Sequence, residues 1–175
     1  MRRQRTFAAA LALAVLAVLP AAAEAQQQSA MRGTFTLNRQ ASDDIRARVN
    51  EAVARMSFVT RPIARGRLVR TNAAYNRVII NQADNQFSIQ FDDRAAIRTP
   101  ANGSPIKWTR EDGEVLDVST EWENGTLEQT FRAEDGQRVN VYSLSADGST
   151  LTMNVTVTSP RLPQPLTYKL VFNRA

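Results

Sequence analysis

The chain has 175 residues, 43% of them hydrophobic, with 22 basic and 17 acidic residues and a formal net charge of +5. It holds no cysteine and no histidine, which removes disulfides, thiol chemistry, Ser-His catalysis and the usual zinc and copper ligand sets. The positive charge comes from 20 arginines against two lysines, without the basic clusters interleaved with exposed aromatics that mark nucleic-acid binding.

Met1-Arg2-Arg3-Gln4-Arg5 opens the chain, an Ala/Leu/Val-rich run follows from Thr6 to Ala23, and Ala23-Glu24-Ala25 precedes a Gln-rich stretch. A basic start, a short apolar middle and a small-x-small site predict a signal peptide over 1–25, cleaved near Ala25, and export to the periplasm or beyond. An uncleaved anchor is the rival, because the run is near the lower limit for spanning a bilayer. No cysteine follows the site, so a lipoprotein anchor is excluded. Loss of three arginines and Glu24 leaves 19 basic and 16 acidic residues, a net charge of +3. The remaining ~150 residues suit one domain: a flexible N-terminus over 26–32, then one β-rich domain over 33–175.

A first strand is expected over 33–38. In 42–56, Ile45, Val49, Ala52, Val53 and Met56 recur at helical spacing and form one apolar stripe. Ser42 suits the N-cap, and Asp43 and Asp44 suit the positive end of the helix dipole. The stretch 58–70 carries Arg61, Arg65, Arg67 and Arg70; with Pro62 and Gly66 interrupting it, it reads as an irregular basic connector.

From residue 77 onward, turn signals such as Asn102-Gly103, Asp112-Gly113, Asn124-Gly125, Asp135-Gly136 and Asp147-Gly148 recur roughly every 8–12 residues, the spacing of an all-β meander. The strands drawn between them are 77–82, 86–92, 95–99, 104–110, 115–122, 126–133, 138–145, 150–158 and 165–174. Several alternate. Phe87, Ile89 and Phe91 share a face, as do Leu116, Val118, Thr120 and Trp122; Leu127, Gln129 and Phe131; Leu151, Met153, Val155 and Val157; and Leu166, Tyr168, Leu170 and Phe172. The opposite faces carry Asp117, Ser119, Glu121, Glu128, Arg132 and Lys169, so one side meets water. An outer-membrane barrel shares this period with the faces reversed, but the charge on the polar face and the Arg174-Ala175 end argue against it. The fold class is therefore mainly β: an antiparallel up-and-down barrel of 8–10 strands with one N-terminal amphipathic helix, a sandwich being the alternative closure.

Gly33-Thr34-Phe35-Thr36-Leu37, Ser57-Phe58-Val59-Thr60-Arg61 and Val171-Phe172-Asn173-Arg174-Ala175, with a helical insertion between the first two strands, resemble the calycin barrels. These are the lipocalins and, closest in layout, the fatty-acid-binding proteins. The first string is similar to the Gly-x-Trp strand of calycins with Phe for Trp, the second to the end of the helical lid. The resemblance implies that Arg174 packs across Phe35 as a structural closure pair. Fatty-acid-binding proteins hold a carboxylate with Arg-x-Tyr on the last strand; here Leu170-Val171-Phe172 stands there, so that anchor does not carry over. Those proteins are cytoplasmic, whereas this chain reads as exported.

The inward rows are either a filled core or the lining of a cavity; a barrel wider than eight strands favours a cavity unless the helix plugs it. Lumen candidates are Arg110 beside Ile106 and Trp108, Gln129 between Leu127 and Phe131, Tyr168 between Leu166 and Leu170, and Trp122 and Met153. Tyr142 joins them from an ambiguous strand. An inward Arg with a Tyr suits a carboxylate or other polar head, and apolar rows suit a chain or ring. In a filled core the same side chains find backbone partners, and Arg110 reaches water at a strand end. Trp108 and Trp122 stack on sugars only if exposed, and their parity places them with apolar neighbours. Arg61, Arg65, Arg67 and Arg70 form a basic rim that attracts anionic partners, or a solvated connector.

Glu121 with Glu123 and Asp92 with Asp93 are the carboxylate pairs of a hydrolase reading, but they fall on the solvent face and in a turn. The expected function is thus non-catalytic binding of a small apolar or amphipathic molecule inside the barrel. No cofactor, metal or nucleic acid is expected. The alternatives are an envelope interaction or structural protein with a filled core and, third, a carboxylate-dependent hydrolase.

Overall fold

The computed structural model describes Gln26 and residues 28–175; the signal-peptide reading of 1–25 lies outside the described residues. The elements run β1 (Gly33–Leu37), α1 (Ile45–Val53), α2 (Arg61–Thr71), β2 (Arg77–Ala83), β3 (Gln86–Phe91), β4 (Ile97–Pro100), β5 (Ile106–Thr109), β6 (Val115–Glu123), β7 (Thr126–Ala133), β8 (Gly136–Leu144), β9 (Thr150–Thr158) and β10 (Leu166–Arg174). All ten expected strands form. They make one antiparallel sheet in the order β4-β3-β2-β1-β10-β9-β8-β7-β6-β5. It curls until β4 approaches β6, where an isolated bridge joins Asn102 to Glu121, so the barrel is nearly closed.

Alternation decides the inside. Leu116, Val118 and Thr120 of β6, Leu127, Gln129 and Phe131 of β7, and Leu166, Tyr168, Leu170 and Phe172 of β10 are buried, while their neighbours on the other face are half-buried or exposed, except Val171. Tight turns set the register. Asn124 and Gly125 both take positive φ, 49° and 78°, as a two-residue hairpin of the primed type requires. Gly136 answers a different need: a Cβ there would stand 2.5 Å from the carbonyl oxygen of Thr158.

At the end of the barrel away from the helices, Phe35 of β1 pairs with Arg174 of β10, and the Arg174 guanidinium lies 4.6 Å from the Phe35 ring centroid. The same guanidinium donates to the carbonyls of Gly148, Arg32 and Ala30 at 2.7, 2.9 and 2.6 Å. Residues 30–32, expected within a flexible N-terminus, are therefore tied down, and Met31 is buried.

The helix expected over 42–56 is shorter, Ile45–Val53, and its cap is Asp44, whose carboxylate accepts from the backbone N–H of Arg46 and Ala47 at 2.8 and 3.3 Å. Ser42 has other work: its hydroxyl accepts from Val171 N and donates to Asn38 O, and the Asp43 carboxylate accepts from Lys169 N at 2.8 Å. These bonds run the chain before α1 along the edge of β10 beyond the end of β1, beside the buried Val171.

The basic stretch, expected to be irregular, is a helix. Pro62 falls in the first turn of α2, where its missing N–H costs nothing, and Gly66 is tolerated further along. Asn72 ends it, with its side chain returning to Leu68 O at 3.0 Å. The two helices pack on each other, and α1 packs on β10.

Arg174→Ala removes the cation–π contact and three hydrogen bonds to backbone, and a loss of roughly 2 kcal/mol in chemical denaturation is expected. Gly136→Ala forces β8 from β9 and is expected to cost about 1–3 kcal/mol in the same assay.

Candidate ligand-binding site

The polar side chains of the interior gather beneath the helices. On β8, Arg138, Asn140 and Tyr142 point inward, opposite Phe131, Gln129 and Leu127 of β7 and opposite Val157, Val155 and Met153 of β9. Tyr142 and Gln129 are fully buried, and Tyr142 Oη donates to Gln129 Oε1 at 3.1 Å. Asn140 Nδ2 reaches Tyr142 Oη at 3.2 Å, and Arg138 Nε donates to Asn140 Oδ1 at 2.8 Å. Arg138 Nη1 meets Thr71 O and Asn72 Oδ1 at 3.4 and 3.5 Å, and Tyr168 Oη donates to the same Asn72 oxygen at 3.2 Å. The network thus runs from the last residue of the helical cover, through Arg138, to the middle of β7.

Arg138 is its centre. No carboxylate of the described residues pairs with it, and its Nη2 is sealed from solvent without a hydrogen-bond partner. A guanidinium keeps its proton even where burial opposes its charge, so Arg138 remains a cation. Tyr75, stacked on Phe91 at 4.2 Å, presents its ring 6.0 Å from the guanidinium. Burial pushes the Tyr142 and Tyr168 hydroxyls above their ordinary pKa, so both serve as neutral donors and acceptors. Gln129 Nε2, Thr120 Oγ1 and Trp122 Nε1 are likewise buried without partners, and Thr120 faces Gln129 across β6 and β7.

Below this cluster the inward rows are apolar. Phe35, Val78, Ile89, Leu127, Leu151, Met153, Leu170 and Phe172 are fully or almost fully buried, so the rows pack against one another. Trp108 is half-buried and meets Phe131 edge-on at 5.8 Å; Trp122 is half-buried on the inward face of β6.

Arg110 is not in the lumen. β5 ends at Thr109, and Arg110 turns back to Asp112, at 2.9 and 2.6 Å, and to Glu114. This bidentate pairing holds the Asp112 carboxyl down at about 2. Of the basic rim, Arg61 donates to Met56 O at 2.7 Å, and Arg67 reaches Glu114 and Asp135 at 3.6 and 3.8 Å, linking α2 to two barrel turns. Arg65 and Arg70 are exposed. The hydrolase carboxylates lie outside the barrel: Glu121 and Glu123 are exposed, and Asp92 accepts from Asn76 N and Arg77 N at the end of β3. Among the described residues no cluster of carboxylates is placed to hold a metal ion.

Arg138, Asn140, Asn72 and Tyr75 were missed by sequence reasoning. The signal was the period-two row Arg138-Asn140-Tyr142, concealed because polar residues occupy its inward side.

A nearly closed ten-stranded antiparallel barrel with a helical cover is a calycin-like fold. No family model matches the sequence, and no curated protein matches it. Solved structures do. A "REP1-NXSQ fatty acid transporter" superposes with TM-score 0.55 at 14% identity over 84% of this chain and 97% of that one. Human cRBP IV gives TM-score 0.52 at 18% identity over 83% and 98%. The fatty-acid-binding protein 1 of Echinococcus granulosus gives 0.54 at 12% over 84% and 98%. At these identities the likeness is one of fold.

Thr120→Val and Thr99→Val each remove a buried hydroxyl without a partner; a gain of about 1 kcal/mol in chemical denaturation is expected from each. Asp112 titrates near 2 in the folded chain against 3.8 ordinarily. Its contribution is therefore complete above about pH 4 and lost as pH falls through 2. Stability measured from pH 5 to pH 2 should fall less steeply in Asp112→Asn than in the parent chain.

Proposed function

We propose that this chain is an exported, non-catalytic binding protein that holds a small amphipathic molecule inside its barrel. The polar head sits against Arg138, Asn72 and Tyr168 beneath α2, and the apolar part lies along the rows of Leu127, Met153 and Leu170. One observation carries the reading: a half-buried arginine whose Nη2 is sealed from solvent, unpaired and without a carboxylate partner. Leaving a guanidinium nitrogen sealed from water and unpaired is costly, and an anionic head would satisfy it with charge-assisted hydrogen bonds. The fatty-acid transporter and fatty-acid-binding protein of similar fold support the class of ligand. Because the inward rows are packed, the apolar part must displace side chains, and Met153 is the most adaptable of them.

The same packing favours a second reading, a filled barrel that acts through its surface. Titration with a fluorescent anionic amphiphile, 1-anilinonaphthalene-8-sulfonate, and displacement by dodecanoate separate the two. Saturable binding at one site is expected, with dodecanoate displacing better than dodecyltrimethylammonium and Arg138→Met weakening both anions about tenfold. Absence of binding, or an Arg138→Met variant that binds as the parent does, leaves the filled barrel. Export is tested by the intact mass of protein recovered outside the cytoplasm, which should begin at Gln26.

A further inference from the structure

The chain holds two Asn-Gly pairs, Asn102-Gly103 and Asn124-Gly125, and the fold treats them differently. Asn-Gly is open to a spontaneous reaction, because a glycine nitrogen has no side chain to shield it. That nitrogen attacks the asparagine Cγ; the N–Cγ bond forms and ammonia leaves. Water then opens the five-membered imide to aspartate or isoaspartate. Both asparagines are exposed, so access does not separate them. Backbone geometry does. Asn124 and Gly125, at φ 49° and 78°, form a two-residue primed turn. Glu123 paired with Thr126 closes that turn, and the Thr126 hydroxyl donates to Glu123 O at 2.9 Å. Bringing Gly125 N onto the Asn124 side chain means leaving the left-handed region and breaking the end of the hairpin.

Asn102 is held less firmly. Its φ lies outside the left-handed region, and it sits between β4 and β5, tied to β6 by one isolated bridge to Glu121. Ser104 N donates to Asn102 Oδ1 at 3.1 Å, which folds the side chain back over the Gly103 peptide and polarises the carbonyl under attack. The fold also fixes the glycine. Gly103 has φ 77°, and a Cβ there would stand 2.8 Å from Glu121 Oε2, so no shielding side chain fits. We propose that Asn102 is a site of spontaneous deamidation in the folded protein, and that the product loosens the seam of the barrel. The reaction places a new carboxylate beside that of Glu121, at the bridge between the two far ends of the sheet. Like charges facing each other across strands are unfavourable, and no ladder is present at this point to offset them. Isoaspartate also lengthens the backbone by one atom. The proposal stands independently of any luminal ligand.

The test is peptide mapping by mass spectrometry of the purified protein, aged at mildly alkaline pH in water enriched in heavy oxygen. The tryptic peptide Thr99–Lys107 should gain the mass of deamidation with uptake of heavy oxygen, and Asn102→Gln should remove that gain. The peptide Glu111–Arg132, which carries Asn124, should react at least about tenfold more slowly, because its hairpin must first open. In urea, with both pairs unfolded, the two rates should converge. Hydrogen exchange reads the consequence. In the aged protein and in Asn102→Asp, the amides of β4 should exchange about fivefold faster than in the fresh parent, with β10 unchanged. The site is overturned if Thr99–Lys107 stays unmodified, or if Asn124 keeps pace with Asn102 in the folded protein. The loosening is overturned if β4 exchanges in the aged protein and in Asn102→Asp as it does in the fresh parent.

Discussion

The pairing of β1 with β10 is the contact on which the barrel depends. In the sheet order, β4 to β1 form one half and β10 to β5 the other; among the described residues this is the one ladder between them, and beyond it only the isolated Asn102–Glu121 bridge joins their far ends. The ladder is short, matching Phe35 with Arg174, Thr36 with Asn173 and Leu37 with Phe172. It also unites chain segments far apart in sequence, so its closure entropy is large. No disulfide is available to hold it. Arg174 does that work by other means: it covers the buried face of Phe35 and ties β10 to the turn before β9 and to the chain entering β1.

Once the sheet curls, each strand has a dry face, and the residues there must be apolar or bonded. Most obey. The upper interior does not, since Arg138, Asn140, Gln129 and Thr120 bring a charge and several donors into a region that Leu or Val would fill at lower cost. Their mutual bonds recover part of this, but Gln129 Nε2, Thr120 Oγ1 and Arg138 Nη2 stay unpaired. Departures from stability that concentrate in one place are the usual mark of a site.

Much of the fold was legible because turn chemistry and alternation agree. Asn124-Gly125 and Asp147-Gly148 announce hairpins, and the rows Leu116–Trp122 and Leu166–Phe172 announce which face is buried. Phe35 and Arg174 were legible only through resemblance. What was not legible has local physical causes. Pro62 and Gly66 read as breakers, yet a proline in the first turn of a helix breaks nothing. Ser42 looked like the cap, but its hydroxyl is taken by Val171 across the fold, a contact that no local pattern contains. Arg110 shares the parity of Trp108, but β5 stops one residue earlier and Asp112 and Glu114 capture it. The inward row of β8 was ambiguous because binary patterning assumes an apolar interior, and the site is where that assumption fails.

Asn72 couples the cover to the interior. It ends α2, returns a hydrogen bond to Leu68 O, and offers its Oδ1 to both Tyr168 Oη and Arg138 Nη1. Thr71 O, the neighbouring carbonyl, also faces Arg138. Under the proposed reading, an anion at Arg138 competes for the same N–H groups that now hold the end of α2 to β8. Besides its packing on α1 and the partly buried Ala64 and Val69, α2 has only Leu68 buried and the surface ion pairs of Arg67 to fix it, and exposed pairs of this kind contribute about 0–1 kcal/mol. Occupancy of the head site and loosening of the cover are then two sides of one exchange of hydrogen bonds. The barrel beneath, held by its β1–β10 ladder, takes no part in that exchange.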